Sequence, residues 1–333
     1  MERLSYDIIT GLGQHAPNIT IVNRHGKWWL PFFLLYAIIK ALAVSPRIDV
    51  VHLSDAVLAV IGWMVQRIYH KPVVCNVHGL DLIYSNKIYQ WYLKIFFKPN
   101  KIICNSHNTE RIANNMGLRS TVVITPGIDV KKFIPAKTDK ALSVLVSKGI
   151  DPTKDKLILT VGRLIQRKGV VWFCENVLPE LPHEYKYLIA GEGPEKARIG
   201  ELAKKIPGRI FILGSLEQQL LDQVYQASHV FVMPNIQVKN DVEGFGFVGI
   251  EAAAWGLPVV AADIDGVIDG IVDGKNGYTV PSRDSAAFKN KIIESINIRK
   301  SDASVFESFR QYTIENFNWD RIIEIYRKEI QLI

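Results

Sequence analysis

The chain has 333 residues, of which 48% are hydrophobic and 22% are charged, and its formal net charge at pH 7 is +7. This composition is typical of a globular protein of two domains with a substantial core, and it excludes a disordered chain. Three widely separated cysteines fit neither a disulfide framework nor a zinc site, so Cys75, Cys104 and Cys174 are predicted to be buried, reduced thiols.

The first half alternates short runs rich in Val and Ile with longer helical patterns. Trp29–Leu42 and Val57–Tyr69 read as helices. The predicted strands are residues 19–23, 49–54, 72–79, 101–106 and 121–127. This alternation indicates a parallel, doubly wound sheet with helices packed against it.

Residues 134–156 break the pattern with lysines and prolines, which predicts a domain boundary near residue 140. The alternation then restarts, so a second α/β domain is expected over residues 141–312. Its predicted strands are residues 157–162, 186–191, 209–214, 229–235, 258–264 and 277–281. The segment 317–333 has the periodicity of an amphipathic helix.

The basic excess lies in the first half. Residues 1–140 contain 17 Lys and Arg against 8 Asp and Glu, whereas the remainder contains 23 against 25. Such a surface attracts phosphorylated substrates, anionic lipid or nucleic acid, and no motif favours nucleic acid. The apolar segment Trp28–Val44 is 17 residues long and contains Pro31 and Lys40, so it is predicted not to span a membrane. The amino-terminal residues lack the apolar run of a signal peptide, which predicts a cytoplasmic protein.

Ligands of open parallel sheets bind beyond the carboxyl ends of the strands, and the residues just after each predicted strand are therefore candidates for chemistry. After residues 157–162, Gly162 allows a tight turn, and Arg163 and Lys168 flank a short loop. Two cations beside exposed backbone N–H groups form a diphosphate site, and the alternative is a solvated basic turn.

Two other strand ends carry weaker signals. Gly191 and Pro194 form a turn into a helix, which is also an ordinary strand-to-helix connection. His78, followed by Gly79, ends a strand where it can reach a cleft or serve a structural role.

The stretch EGFGFVGIE, residues 243–251, has a carboxylate at each end of a glycine-rich turn. Glu243 and Glu251 are open to four interpretations: an acid/base pair, a metal site, a hydrogen-bonding clamp or unrelated surface residues. The glycines let backbone amides approach an oxygen-rich ligand near a helix N-terminus. A carboxylate accepts two or more hydrogen bonds, and a metal site would need further oxygen ligands nearby, so a clamp for sugar hydroxyls is favoured.

Taken together, these motifs resemble glycosyltransferase family 4, retaining enzymes of the GT-B fold that use a nucleotide sugar. The matching segments, in an order and spacing that fit from about residue 45 to the end, are HG (78–79), NS (105–106), PGID (126–129), GRLIQRKG (162–169), GEGP (191–194) and EGFGFVGIEAAAWGLPVV (243–260).

The resemblance implies a role for each candidate residue. Glu243 and the amides of the following turn hold the donor sugar, Glu251 holds the ribose, and Arg163 and Lys168 bind the diphosphate. His78 lies near the donor sugar and phosphate. The implied donor-binding residues are Gly162, Arg163, Lys168, Gly191, Pro194, Glu243, Gly244, Phe245, Gly246, Phe247 and Glu251; the implied catalytic residues are His78, Arg163, Lys168 and Glu243.

The resemblance also implies a fold and an activity. Two Rossmann-like domains face each other across a cleft: residues 1–140 bind the acceptor, residues 141–312 bind the nucleotide sugar, and a helix in 313–333 crosses back. The implied reaction transfers a hexosyl group from a GDP- or UDP-sugar and needs neither a metal ion nor a cofactor. The implied acceptor is a glycan or a lipid-linked molecule of envelope or polysaccharide biosynthesis, such as lipopolysaccharide. Aromatic and lysine-rich segments in 28–44 and 89–98 favour a peripheral site on the cytoplasmic face of an anionic membrane, and the alternative is that residues 28–44 form a core helix against the sheet.

The sequence departs from the family in three places. The usual first strand and glycine-rich loop are absent ahead of MERLSYDIITGL, IDGVID replaces a Gly-Gly loop, and the loop of residues 236–242 is unusually polar. The first departure keeps a non-catalytic GT-B partner or regulatory protein open as an alternative. A sugar-nucleotide epimerase or a phosphorylase is a further alternative that the basic pair and the two glutamates disfavour.

Overall fold

The structure is a computed structural model that describes residues 2–13, 30–134, 139–151 and 153–331. The predicted strand 19–23 lies outside the described residues. The chain divides into two compact units, residues 1–127 with 319–333, and residues 128–318.

The strands follow the short runs rich in Val and Ile. They are β1 (Val51–Leu53), β2 (Val73–Val77), β3 (Lys101–Cys104), β4 (Thr121–Val123), β5 (Lys156–Val161), β6 (Tyr185–Ala190), β7 (Ile210–Gly214), β8 (Val230–Met233), β9 (Val259–Asp263) and β10 (Tyr278–Pro281). Each strand overlaps one of the predicted strands from 49–54 onward, so those predictions are confirmed.

The helices fill the intervals between the strands. They are α1 (Glu2–Gly13), α2 (Leu30–Val44), α3 (Ala59–Tyr69), α4 (Leu80–Ile83), α5 (Lys87–Phe96), α6 (His107–Asn115), α7 (Asp139–Ser147), α8 (Val170–Asn176), α9 (Lys196–Lys205), α10 (Gln218–Ala227), α11 (Phe247–Ala254), α12 (Val267–Gly270), α13 (Ser285–Ser301), α14 (Ser304–Asn316) and α15 (Trp319–Gln331). Within the described ranges, no helix has the length and apolar character needed to cross a membrane.

The first unit is built on a parallel sheet of order β1-β2-β3-β4. Alternate residues of a strand point to opposite faces, and here both faces are covered. On one face Val73 and Cys75 pack against α3 and α5. On the other face Val74 packs with Ile8 of α1 and Tyr326 of α15.

The second unit contains a parallel sheet of order β10-β9-β8-β5-β6-β7, also buried on both faces. The chain enters at the central strand β5 and winds outward through β6 and β7. It then returns to β8 on the other side of β5 and continues outward. The order of winding therefore reverses between β5 and β8, where an open α/β sheet has its ligand crevice.

The division between the units falls after Gly127, earlier than the boundary expected near residue 140. Residues 128–134 belong to the second unit because Ile128 donates its N–H to the Phe317 carbonyl at 2.6 Å and the Phe133 ring packs on Trp255. The expected irregular linker 134–156 contains α7, whose Ala141 and Leu145 are buried. Lysines at positions 140 and 148 flank these apolar positions, and the helical period between them is short.

The carboxyl-terminal boundary also differs from the expected residue 313. Helix α14 stays in the second unit, since Arg310 donates to the Ala254 carbonyl at 3.0 Å. Helix α15 belongs to the first unit, where Lys101 pairs with Glu329 at 2.9 Å. The amphipathic helix predicted for 317–333 is confirmed over Trp319–Gln331.

The cysteine prediction is confirmed: Cys75, Cys104 and Cys174 are buried free thiols. Burial raises the pKa of all three, that of Cys104 to about 12, so none is a reactive thiolate at neutral pH.

Candidate functional site

The loops that follow β5 and β8 meet at the reversal of the second sheet. The β5 loop carries Arg163 and Lys168, and the β8 loop carries Glu243. These loops are held together by the backbone, since Ile236 donates its N–H to the Arg167 carbonyl at 2.9 Å. The topology thus joins two segments that are about 75 residues apart along the chain.

Gly169 permits this close approach. Its φ is 67°, and a Cβ at this position would overlap the carbonyl oxygen of Pro234. Only glycine combines a left-handed backbone with such a contact. The glycine of the RKG triplet is therefore required by the joining of two loops.

The β6 turn lies against the other side of the β5 loop. Gly191 has a φ of 151°, and a Cβ there would overlap the Gly162 carbonyl. Leu164 donates its N–H to the Glu192 carbonyl at 2.9 Å, and its own carbonyl accepts from Glu195, next to Pro194, at 3.0 Å. The ends of three neighbouring strands, β8, β5 and β6, are therefore joined by backbone contacts.

Glu243 is the centre of the polar cluster. Its side chain is 9% exposed, and its carboxylate accepts from Lys168 Nζ at 2.6 Å and from Asn235 Nδ2 at 3.0 Å. Its backbone is also held, because Glu243 donates its N–H to Asp265 Oδ2 at 3.1 Å and its carbonyl accepts from Gly266 at 3.0 Å. A carboxylate held by its side chain and backbone is already oriented for a ligand.

The charge state of Glu243 follows from these contacts. Burial acts to raise its pKa, but Lys168, Arg167 and the Asn235 amide together lower the pKa below its ordinary value. The group is therefore a carboxylate at neutral pH. It can accept hydrogen bonds from hydroxyl groups and cannot act as a proton donor there.

Arg167 was missed by sequence reasoning, which considered only Arg163 and Lys168. Its side chain is 13% exposed and donates from Nη1 to Asp241 Oδ1 at 2.8 Å, while its Nε lies 3.5 Å from Glu243 Oε2. In the sequence, Asp241 stood out only as one residue of the polar loop 236–242. The only sequence signal for Arg167 was its position next to Lys168 in QRKG. That pattern does not identify Asp241 as its partner, because Asp241 lies far along the chain.

Arg163 differs from its basic neighbours. It is exposed, and its guanidinium makes no hydrogen bond or ion pair with any residue in the described part of the chain. Lys168 by contrast is 14% exposed and paired with Glu243. Arg163 is thus the cation of this loop that can bind an anion without first losing a protein partner.

The glycine-rich turn leads from Glu243 into α11. Phe245 points into the core beside Phe317, with ring centroids 6.2 Å apart. The Phe247 N–H donates to the Phe245 carbonyl at 2.9 Å, so this amide is engaged within the turn. Gly244 lies against Gly266, and Gly246 starts α11. The turn therefore brings backbone rather than large side chains to the sheet edge.

Glu251 lies on α11, half-buried, beside the buried Tyr225. Burial first, and then the Glu251 charge, raise the pKa of the Tyr225 phenol well above its ordinary range. Tyr225 is therefore a neutral hydroxyl next to the carboxylate. The two glutamates of the motif have different surroundings, since Glu243 sits among cations and Glu251 beside a phenol.

His78 belongs to the first unit, where it follows β2. Its Nε2 lies 3.1 Å from the Ser54 carbonyl, and its backbone N–H donates to Asp81 Oδ1 at 2.8 Å. Since a carbonyl only accepts, Nε2 carries the hydrogen of this contact, and Nδ1 of the neutral ring is an acceptor. Burial, and then the neighbouring Asp55, raise the pKa of Asp81 to about 6.

The remaining motif residues have structural contacts. Ser106 caps α6 by accepting from the Thr109 N–H at 3.1 Å, and Asn105 accepts from the Thr109 hydroxyl at 2.8 Å. Asp129 accepts from the Lys131 N–H at 3.2 Å. Within the ranges described, no group of three or more His, Cys, Asp or Glu side chains could hold a metal ion.

Two protein-family models match the chain. The model described as Glycosyltransferase Family 4 matches residues 3–132, and the model described as Glycosyl transferases group 1 matches residues 155–297. The second match contains every candidate residue of the β5 and β8 loops.

Individual proteins show the same similarity. Alpha-maltose-1-phosphate synthase of Mycobacterium tuberculosis is 27% identical over 84% of this chain and 79% of its own length. D-inositol 3-phosphate glycosyltransferase of Corynebacterium urealyticum is 30% identical over 62% of this chain and 50% of its own length.

Solved structures share the fold. HepE of Anabaena, crystallised with UDP and glucose, has a TM-score of 0.77 and 19% identity, with 100% of this chain and 96% of that chain covered. The lipopolysaccharide outer core galactosyltransferase WaaB has a TM-score of 0.71 and 16% identity, with 99% of this chain and 94% of that chain covered. The predicted α/β class and GT-B fold of two Rossmann-like domains are thereby confirmed.

Proposed function

Because the chain belongs to glycosyltransferase family 4, we propose that it transfers a hexosyl group, with retention of configuration, from a nucleotide-diphosphate sugar to an acceptor hydroxyl. The donor binds the second unit, at the strand ends of β5, β6 and β8. The observation that carries the proposal is the buried Lys168–Glu243 pair, 2.6 Å long, at the sheet reversal beside the exposed Arg163.

The cluster suits a donor because its parts match the parts of a nucleotide sugar. Glu243 is ionised and oriented, so it accepts hydrogen bonds from sugar hydroxyls. Lys168 has three N–H donors and can bind a phosphate oxygen while it keeps its bond to Glu243. Arg163 binds the diphosphate from the exposed side, and Glu251 accepts from the ribose hydroxyls.

The same groups act on the leaving group. As the bond between C1 of the sugar and the diphosphate oxygen breaks, negative charge grows on the phosphate and C1 becomes oxocarbenium-like. Arg163 and Lys168 stabilise that charge, which lowers the barrier without a metal ion. Arg167, paired with Asp241, holds Glu243 and the β8 loop in place during this step.

Retention follows from attack on the face that the phosphate leaves. The acceptor oxygen forms the new bond to C1, and its proton passes to the departing phosphate oxygen. The protein then contributes positioning and electrostatics rather than a general base.

UDP-sugars are the leading donors and GDP-sugars the second choice, and the support for UDP is the HepE structures that contain UDP or UDP-glucose. The first unit binds the acceptor, a glycan or lipid-linked molecule of envelope or polysaccharide biosynthesis. We place the reaction in the cytoplasm, at the face of the membrane.

Thermal unfolding of the protein with UDP, GDP, ADP and UDP-glucose tests the proposal. A nucleotide at about 100 times its dissociation constant adds about 2.7 kcal/mol to the stability of the unit that binds it. We expect one nucleotide to raise the melting temperature of the wild type. Arg163→Ala should abolish this shift, whereas Arg198→Ala, a similarly exposed arginine on α9, should preserve it.

A sugar-specific variant separates the two parts of the donor site. Glu243→Gln should bind UDP nearly as well as the wild type but lose the additional affinity for UDP-glucose. If no nucleotide stabilises the protein, the donor site is refuted. Binding without transfer to any acceptor would instead favour the non-catalytic partner.

A further inference from the structure

Helix α2 has a large apolar surface that faces solvent. Its inner side packs through Ala37 and Ala41, both buried, against α3. Leu35, Tyr36 and Ile39 lie on the opposite side and are 61%, 51% and 59% exposed. Their spacing puts all three on one helical face. Adjacent, large apolar side chains left exposed in this way mark an interaction surface.

Helix α5 combines a second apolar surface with positive charge. Ile88 is 76% exposed and Trp91 is 61% exposed, while Leu93 on the other side of the helix is buried against the sheet. Lysines at positions 87, 94 and 98 are exposed around these two residues. Lysines beside a tryptophan are typical of a helix that lies in a lipid interface.

The two helices belong to one layer of the first unit, on either side of α3. Helix α2 packs against Ile61 and Val65 of α3. Helix α5 is bound to the start of α3, because the Tyr92 hydroxyl accepts from the Val60 N–H at 3.0 Å. Trp63 of α3 also packs on Phe96, with ring centroids 5.3 Å apart. We call the exposed residues of α2 and α5 the α2/α5 surface.

Charge decides which partner fits the α2/α5 surface. Neither Leu30–Val44 nor residues 87–98 contain an acidic residue, whereas together they contain four lysines. A second copy of the chain, docked by two-fold symmetry through this surface, would bring lysine against lysine. Anionic phospholipid headgroups neutralise the lysines while the aromatic and aliphatic side chains enter the acyl boundary.

We propose that the α2/α5 surface binds an anionic phospholipid bilayer and holds the first unit on it. The inference rests on the proposed function in one respect: the purpose of the membrane contact is to bring the enzyme to a lipid-linked acceptor in that bilayer. The binding itself requires only the surface.

Vesicle flotation with the intact protein tests the inference. Vesicles of phosphatidylcholine alone are compared with vesicles that also contain phosphatidylglycerol, at low and high salt. We expect binding only with phosphatidylglycerol, weakened by salt. Lys87→Gln/Lys94→Gln/Lys98→Gln and Leu35→Gln/Ile39→Gln should each reduce binding at least tenfold.

Matched variants in the second unit serve as controls. Lys140→Gln/Lys204→Gln/Lys205→Gln makes the same change of charge at three exposed positions. Ile134→Gln/Val146→Gln replaces apolar residues that are 69% and 57% exposed. Both should bind vesicles like the wild type.

The outcomes are distinct. The inference is overturned if the wild type does not float, if the control variants lose binding equally, or if either set of α2/α5 variants binds normally. It is also overturned if sedimentation shows a dimer that Leu35→Gln/Ile39→Gln converts to a monomer. UDP binding is measured in parallel: a wild type that binds UDP but does not float refutes this inference alone, and a wild type that floats but binds no nucleotide refutes the donor site alone.

Discussion

Replacing Lys168 by methionine tests whether the Lys168–Glu243 pair organises the site. The change keeps the length and apolar stem of the side chain but removes its charge. Glu243 would then remain buried with only Asn235 and the more distant Arg167 as partners. Its Oε2 atom lies 2.6 Å from Lys168 Nζ but 3.5 Å from Arg167 Nε, so the principal partner is lost.

The expected loss of stability is about 3 kcal/mol at pH 8. Two unit charges 2.6 Å apart interact by about 6 kcal/mol at an effective dielectric constant of 20, and desolvation offsets part of this. Breaking a buried pair costs about 3–5 kcal/mol, and the remaining partners of Glu243 put the loss at the lower end.

The loss depends on pH with a definite sign. In the wild type the pKa of Glu243 is lowered in the folded state, so this group contributes stability above its unfolded pKa, which is lost as pH falls through the folded pKa. Without Lys168, burial dominates and the folded pKa rises above the unfolded one. The variant then regains stability as pH falls, so its difference from the wild type should shrink between pH 8 and about pH 4.5.

Hydrogen exchange on the intact protein, followed in peptides that cover β5 and β8, reports the opening free energy of the second unit separately. Lys186→Met is the matched control, because Lys186 is 18% exposed and its contact with Asp155 is longer, at 3.6 Å. It should cost about 1 kcal/mol or less. Lys168→Met/Glu243→Gln should recover most of the loss, since it leaves no buried charge unpaired. A loss below about 1 kcal/mol for Lys168→Met, or one that does not change with pH, would refute the reasoning.

Two further predictions concern stability. Asp81→Asn should remove a pH dependence: the folded pKa of Asp81 is raised to about 6, so the wild type loses about 2–3 kcal/mol from this group as pH rises from about 4 to 7, and the difference between wild-type and variant urea midpoints at pH 4 and pH 7 measures it. Gly169→Ala should cost at least 3 kcal/mol, because its Cβ overlaps a backbone carbonyl at a φ of 67°. Gly117→Ala, at a φ of 79° with nothing within 4 Å, should cost only about 1 kcal/mol, and equal midpoints for the two variants would contradict the close-approach argument.

Local sequence patterns predicted most of the strands and helices. Runs such as LILTVG and PVVAAD are short, apolar and β-branched, which is what a strand buried on both faces requires, and they became β5 and β9. The boundaries between the units were less accessible to sequence reasoning. They depend on contacts such as Ile128 with Phe317, which are distant in sequence and leave no local pattern.

The α/β class, the two-unit organisation and the candidate residues at the strand ends could all be inferred from the amino-acid sequence alone. Strand periodicity, glycine spacing and charged residues after strands are local properties, and they are readable one segment at a time. Which of those residues pair depends on how the two loops come together in the folded protein. The reversal between β5 and β8 sets Lys168 on Glu243 and Arg167 on Asp241, and leaves Arg163 exposed to solvent. Packing around α3 likewise decided which sides of α2 and α5 face solvent, because a helix as apolar as α2 has no polar face that would mark its outer side in advance.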